Sequence, residues 1–148
     1  MKSNTNYSFD CLIGIERAIL STLITYPEVD KINETISTIE ASDFYFEQHG
    51  LIFNTIIGQY NNDRPIDEIT VYLRNQAKIE ENYYLEVIAT NPLASLTDYL
   101  KQLKFYSLER QIRVIAAKVK EGDFKKINDL QVLQDKMEFL GEIRDLKQ

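Results

Sequence analysis

One histidine, a scatter of carboxylates, nine tyrosines and one short basic and aromatic run are the residues of this 148-residue chain whose types admit chemistry. Any Ser-His-Asp relay has to use His49, the single histidine. Yet His49 falls on an apolar stripe with Ile52, Phe53, Ile56, Ile57 and Tyr60, at the i, i+3, i+4, i+7, i+8, i+11 spacing of a helix face that looks into a core. A packed, hydrogen-bonded core histidine is therefore the favoured reading over a catalytic base. Asp10, Asp43, Glu47, Asp63 and Asp67 could pair for acid and base work. Most of them fall at turns or helix starts, where carboxylates complement the helix dipole and accept from free N–H groups, so capping is the better account.

The five glycines never cluster into a phosphate-cradling loop, and no G-x-x-x-x-G-K-[ST] pattern occurs, so nothing here points to nucleotide hydrolysis. The single cysteine, Cys11, makes an internal disulfide impossible, and no Cys and His set has metal-ligand spacing. No catalytic, cofactor-binding or metal-ligating residue is expected. The tyrosines lack neighbouring basic residues in most cases and read as core edges and contact anchors ahead of base-stacking platforms. Lys101, Lys104, Phe105 and Tyr106 alone interleave charge with aromatic surface, and they read as a docking patch for a protein partner ahead of nucleic acid.

These residues must be positioned by a chain of net charge −6, a poor match for a broad grip on phosphate backbones. Little direct nucleic acid binding is expected. The charge is uneven: residues 28 to 86 carry four basic and twelve acidic residues, and residues 87 to 126 carry eight and four. That asymmetry either steers a charged partner or a second copy of the chain, or reflects solvated helix faces. A fraction of 44% hydrophobic residues suits a folded core, and the sequence offers neither a signal peptide nor an apolar run of membrane-spanning length, which predicts a cytoplasmic protein.

Apolar spacing is helical throughout, and the predicted fold is all-α. Leu12, Ile15, Ile19, Leu23 and Tyr26 share one face of a first helix ended by Pro27. Val29, Ile32, Ile36 and Ile39 mark a second. Ser42 and Asp43 suit the cap of the third, which carries the His49 stripe. After the turn NNDRPID, Asp67 can cap a short fourth helix with Ile69, Tyr72 and Leu73 as its apolar side, and a fifth covers Ile79 to Ala89.

Beyond Asn91-Pro92, Ser95 and Asp98 resemble a capping box, predicting a long helix from Leu96 to about Glu121 that ends at Gly122-Asp123. Leu108, Ile112, Ile115 and Val119 repeat at coiled-coil spacing, and Leu130, Leu133, Met137 and Leu140 repeat it after the turn. The expected organisation is a disordered N-terminus over 1–10, a small globular helical bundle over 11–94 and a long antiparallel helical hairpin over 95–148 that leads toward a linker. A hairpin cannot bury both of its faces alone, so those eight residues are candidates for an oligomer interface.

Several of these residues together resemble the N-terminal domain of bacterial replicative DNA helicases, the DnaB family. The family's opening helix, an acidic residue followed by V-L-G-x-L-L, is similar to Glu16 and Ile19-Leu20-Ser21-Thr22-Leu23-Ile24. Its D-F-Y-x-x-x-H-x-x-I-F resembles Asp43, Phe44, Tyr45, His49, Ile52 and Phe53 at matching spacing. Its P-I-D turn looks like Pro65-Ile66-Asp67, followed by Thr70-Val71, and Pro92, Tyr99 and Arg110 also match. Glu16, Asp43, Phe44, Tyr45, His49, Phe53, Pro65 and Asp67 are thus a fold signature. The chain departs at Ser21, where the family often has Gly and a close helix contact could loosen, and at Ser95, which keeps a capping side chain in place of Asn. The stretch after Thr70 is a few residues shorter.

The resemblance implies a non-catalytic collar in DNA replication. Its copies would self-associate through their hairpins, as a dimer or within a hexameric full-length helicase, and would dock the helicase-binding domain of primase or a helicase loader. No cofactor is implied here; ATP and Mg would belong to a separate motor domain. The alternative is a stand-alone phage or plasmid collar mimic that binds primase or helicase, and an unrelated helical enzyme ranks last because no nucleophile with a base is offered.

Overall fold

The computed structural model describes residues 4–146, with side chains from Asp10 to Gly141. Seven α-helices and two short 3-10 turns make up its regular structure, with no strand among the described residues. The helices are α1 (Asn4–Thr25), α2 (Val29–Thr38), α3 (Glu47–Asn61), α4 (Glu68–Asn75), α5 (Glu81–Ala89), α6 (Thr97–Lys120) and α7 (Ile127–Leu146). The chain divides into two compact units, Met1–Leu103 and Lys104–Gln148, with the division inside α6. No described helix is long and apolar enough to cross a membrane.

In the first unit α1 is the central element: every residue from Ala18 to Ile24 is buried, and it packs on α3 and α5. Leu12, Ile15, Ile19 and Leu23 face the core as their spacing predicts, whereas Tyr26 is exposed at the helix end. Each fully buried Leu or Ile contributes about 1.5–3 kcal/mol of transfer free energy. The helix stops at Thr25 because Pro27 disfavours an α conformation in the residue before it. It begins at Asn4, so residues 4–10 are helical where an unstructured terminus is expected from sequence; residues 1–3 of that segment lie outside the described residues.

A helix so fully enclosed must satisfy its polar side chains. Ser21 Oγ donates to the Thr90 carbonyl at 2.6 Å. Thr22 Oγ1 donates to the Ala18 carbonyl at 2.6 Å and accepts the Leu93 backbone N–H at 2.7 Å. The two hydroxyls bind the strap between α5 and α6 to α1. Ser21 is therefore a hydrogen-bonded contact and not a loosened one.

Two short helices depart from what their apolar residues suggest, α2 in part and α4 in full. In α2, Ile32, Thr35 and Ile39 are buried, while Val29 and Ile36 are exposed. In α4, Val71 and Asn75 are buried, while Ile69 and Leu73 stand in solvent. Asn75 can serve as a core residue because its Nδ2 donates to Thr55 Oγ1 and to the Val71 carbonyl, both at 2.9 Å.

Capping follows the same split between local and distant partners. Asp67 is the N-cap of α4, accepting from the Ile69 and Thr70 N–H groups at 3.0 and 2.8 Å. Ser42 and Asp43 do not cap α3. They lie in the 3-10 turn Ala41–Asp43, where Asp43 accepts the Glu40 N–H at 2.8 Å. Ser95 is exposed and in no hydrogen bond among the described residues; α6 starts two residues later, at Thr97.

The second unit is the hairpin. The end of α6 is closed by two backbone bonds, Gly122 N–H to Val119 O and Asp123 N–H to Lys118 O, both close to 3 Å. This is a Schellman cap, and Gly122 occupies its left-handed position at φ +111°. The 3-10 turn Phe124–Lys126 then leads into α7.

Candidate interaction surfaces and the node that shapes the bundle

The family-type motif around His49 is assembled by α1 and α3. Glu16 and His49 are both 0% exposed, and Glu16 Oε1 lies 2.6 Å from His49 Nδ1. The same carboxyl group accepts the Tyr45 N–H at 2.6 Å and the Phe46 N–H at 3.4 Å. It therefore takes the place of a side-chain cap at the start of α3, whose N-cap, Phe46, has none of its own. On its other edge, His49 Nε2 lies 2.7 Å from Tyr83 Oη, and Tyr83 stacks on the imidazole. Arg17 lies over the Tyr83 ring and pairs with Glu86 at 3.1 Å.

Phe44 packs on Phe53 and lies near-perpendicular to the His49 ring. Asp43 and Phe44 are buried, Tyr45 is exposed, and Pro65 and Asp67 are exposed at the α4 turn. The signature residues thus form one structural node plus one cap, with His49 a hydrogen-bonded core residue. Among the described residues, no group of three or more His, Cys, Asp and Glu could hold a metal.

At the hairpin, Leu108 and Leu133 are buried, and Ile112, Ile115, Val119, Leu130, Met137 and Leu140 are half-buried. The hairpin also presents apolar surface outside that seam. Val114 is 54% exposed, Val132 52% and Phe139 63%, and Phe124 and Ile127 are exposed at the turn. Val114, Ile115, Val132 and Leu133, with Arg110, Gln111 and Asp129 at the margin, line a cleft of about 580 Å³. An apolar cleft with polar edges is the form of a protein-docking surface.

The expected docking patch is less open. Lys101 is buried, at 8% exposure, so it is not offered to a partner as the sequence suggests. Lys104, Phe105 and Tyr106 are half-buried, the two rings meeting edge to face. The outward set Val114, Val132 and Phe139 is not on the heptad positions, and its signal in the sequence is simply apolar residues beside the seam.

Residues 9–105 match the family model described as DnaB-like helicase N terminal domain. The replicative DNA helicases DnaB of Helicobacter pylori strains J99 and 26695 are each 30% identical to the chain over 112 residues. That stretch is 74% of this chain but only 23% and 22% of those proteins. The chain thus spans under a quarter of the curated relatives' length.

Among solved structures, the N-terminal domain of DnaB helicase from Helicobacter pylori, described with its interactions with primase, superposes with a TM-score of 0.73 at 28% identity. The match covers 82% of this chain and 97% of that one. The N-terminal domain of DnaB helicase from Mycobacterium tuberculosis shares the fold, with a TM-score of 0.69 at 18% identity over 82% of this chain and 94% of that one. The family match and the two relatives agree: the chain belongs to the DnaB-like helicase N-terminal domain family.

Proposed function

We propose that this domain is a non-catalytic collar of a replicative helicase, which sets ring geometry by self-association and recruits a partner protein during DNA replication. The observation that carries the reading is the apolar surface of the hairpin, where Val114 and Val132 stand exposed beside the cleft they help to line. Exposed apolar area of this kind is stabilised by burial against another chain, at about 25 cal/mol per Å² less the costs of association.

Self-association through the hairpin is the first task; Leu108, Ile112, Ile115, Val119, Leu130, Leu133, Met137 and Leu140 hold the hairpin together and border the contact. Docking of the primase helicase-binding domain, or of a loader, is the second, with Lys104, Phe105 and Tyr106 as its candidate residues. Nucleotide hydrolysis and strand separation would belong to a motor domain with its own ATP and Mg, and the setting would be the cytoplasmic replisome.

Light scattering tests both tasks. The chain alone should show a mass above the 17.3 kDa of one copy and gain mass with the primase C-terminal domain from the same source. Ile115→Asp should return it toward one copy while the first unit stays helical by circular dichroism. A wild-type monomer indifferent to primase would sink the reading.

A further inference from the structure

The acidic stretch 28–86 has four basic residues, and three of them, Arg64, Arg74 and Lys78, line one cleft of about 400 Å³ where α3 meets α4. The fourth, Lys31, pairs with Glu28 at 3.7 Å. Among the described residues none of the other three is in an ion pair, although carboxylates outnumber them throughout the segment. No carboxylate lines the cleft, and the rest of its wall includes the amides of Asn54, Gln59 and Asn62.

The cleft is built, not incidental. Asn75 Nδ2 bonds Thr55 Oγ1 across its floor at 2.9 Å, joining the two helices. Gln59 Nε2 holds the Pro65 carbonyl at 3.0 Å, and the Arg64 N–H donates to the Gln59 carbonyl at 2.8 Å, which fixes the turn that carries the first arginine. Three cations in no ion pair around a polar concavity attract an anion, and two guanidinium groups favour tetrahedral oxyanions that accept paired N–H donors. No aromatic ring lines the cleft, so a nucleobase would find no stacking platform and recognition would rest on the phosphate.

We propose that the α3–α4 cleft binds a phosphate-bearing anion, either a free di- or polyphosphate or the backbone of a single-stranded nucleic acid, with Arg64, Arg74 and Lys78 as its ligands. The proposal stands apart from the collar reading, because it uses neither the hairpin nor a protein partner.

The test is a titration of the ¹⁵N-labelled chain at constant ionic strength with inorganic pyrophosphate, and separately with an oligo-dT strand. Saturable shifts of the Gly58, Asn62 and Asn75 amides are expected. Arg74→Gln should weaken the affinity about tenfold or more, as loss of a charged hydrogen-bond donor does. Gly58→Glu should do likewise by bringing a negative charge to the wall; a Cβ there meets nothing within 4 Å, so the helix accommodates it. Shifts with pyrophosphate alone assign a free polyphosphate, and shifts with the strand assign the diester backbone. Absence of saturable shifts with both probes, or shifts that persist undiminished in both variants, overturns the proposal.

Discussion

Replacing Glu16 with alanine removes one fully buried carboxyl group that serves the part-buried Tyr45 and Phe46 N–H groups and the buried His49 Nδ1. An unsatisfied buried donor costs about 1–3 kcal/mol, and the change strands two close donors, the Tyr45 N–H and His49 Nδ1. The Phe46 contact at 3.4 Å is weak, so the expected loss for Glu16→Ala is about 2–6 kcal/mol, a large part of the ~5–15 kcal/mol that stabilises a typical domain. Glu16→Gln should cost less, about 1–2 kcal/mol. Its carbonyl can keep the Tyr45 N–H while its NH₂ turns to His49 Nδ1, provided that the ring carries its proton on Nε2 and Tyr83 Oη accepts it. Urea unfolding gives the two losses, and ¹⁵N spectra of the imidazole report the tautomer. A Glu16→Ala loss under about 1 kcal/mol, or a Gln variant as unstable as the Ala variant, would refute the argument that this carboxyl group organises the start of α3.

Three further perturbations probe other parts of the structure. Thr22→Val keeps the shape of the side chain but leaves the Leu93 N–H without its acceptor, and should cost about 1–3 kcal/mol in urea unfolding, with amide exchange at Leu93 accelerated. Gly122→Ala places a Cβ at φ +111° and should destabilise the hairpin by about 1 kcal/mol or more, read as fraying of the α6 end by hydrogen exchange. Asp67 titrates below its ordinary value of 3.8, chiefly because the Thr70 backbone N–H donates to the carboxylate, with the Thr70 hydroxyl and the Ile69 N–H adding to it. A lowered folded value means that its stabilisation is present above 3.8 and is lost as pH falls through the folded value. The urea midpoints of wild type and Asp67→Ala should therefore differ at neutral pH and converge in strong acid.

The parts of this fold legible in the sequence are those decided within a few residues. The α1 and α3 faces, the stop at Pro27, the Asp67 cap and the Gly122 turn all follow from local spacing or local backbone needs. The inward row of α4, and Thr35 in that of α2, were not legible, because Thr35 and Asn75 are polar residues made compatible with burial by hydrogen bonds. Lists of apolar residues select Ile69 and Leu73 in their place. Likewise the cap of α3 comes from Glu16, 29 to 30 residues away, so no nearby side chain announces it. Glu16 and His49 each stand out as motif members, but their pairing depends on how α1 crosses α3. At the hairpin, heptad spacing selects Leu108 and Leu133, which are buried, and leaves out Val114 and Val132, which stand exposed beside the cleft.

The tight closure at Gly122 also acts as a rotational gauge for the hairpin. Successive residues of an α-helix are about 100° apart around its axis. One residue added between Asp123 and Phe124 would turn α7 by that angle if the preceding cap held, carrying Leu133 off the seam and bringing a neighbour such as Val132 toward it. The surface offered to another chain would then change with no apolar residue replaced. Variation in the length of this turn is thus a route by which relatives could alter whom they pair with while keeping every side chain of the seam.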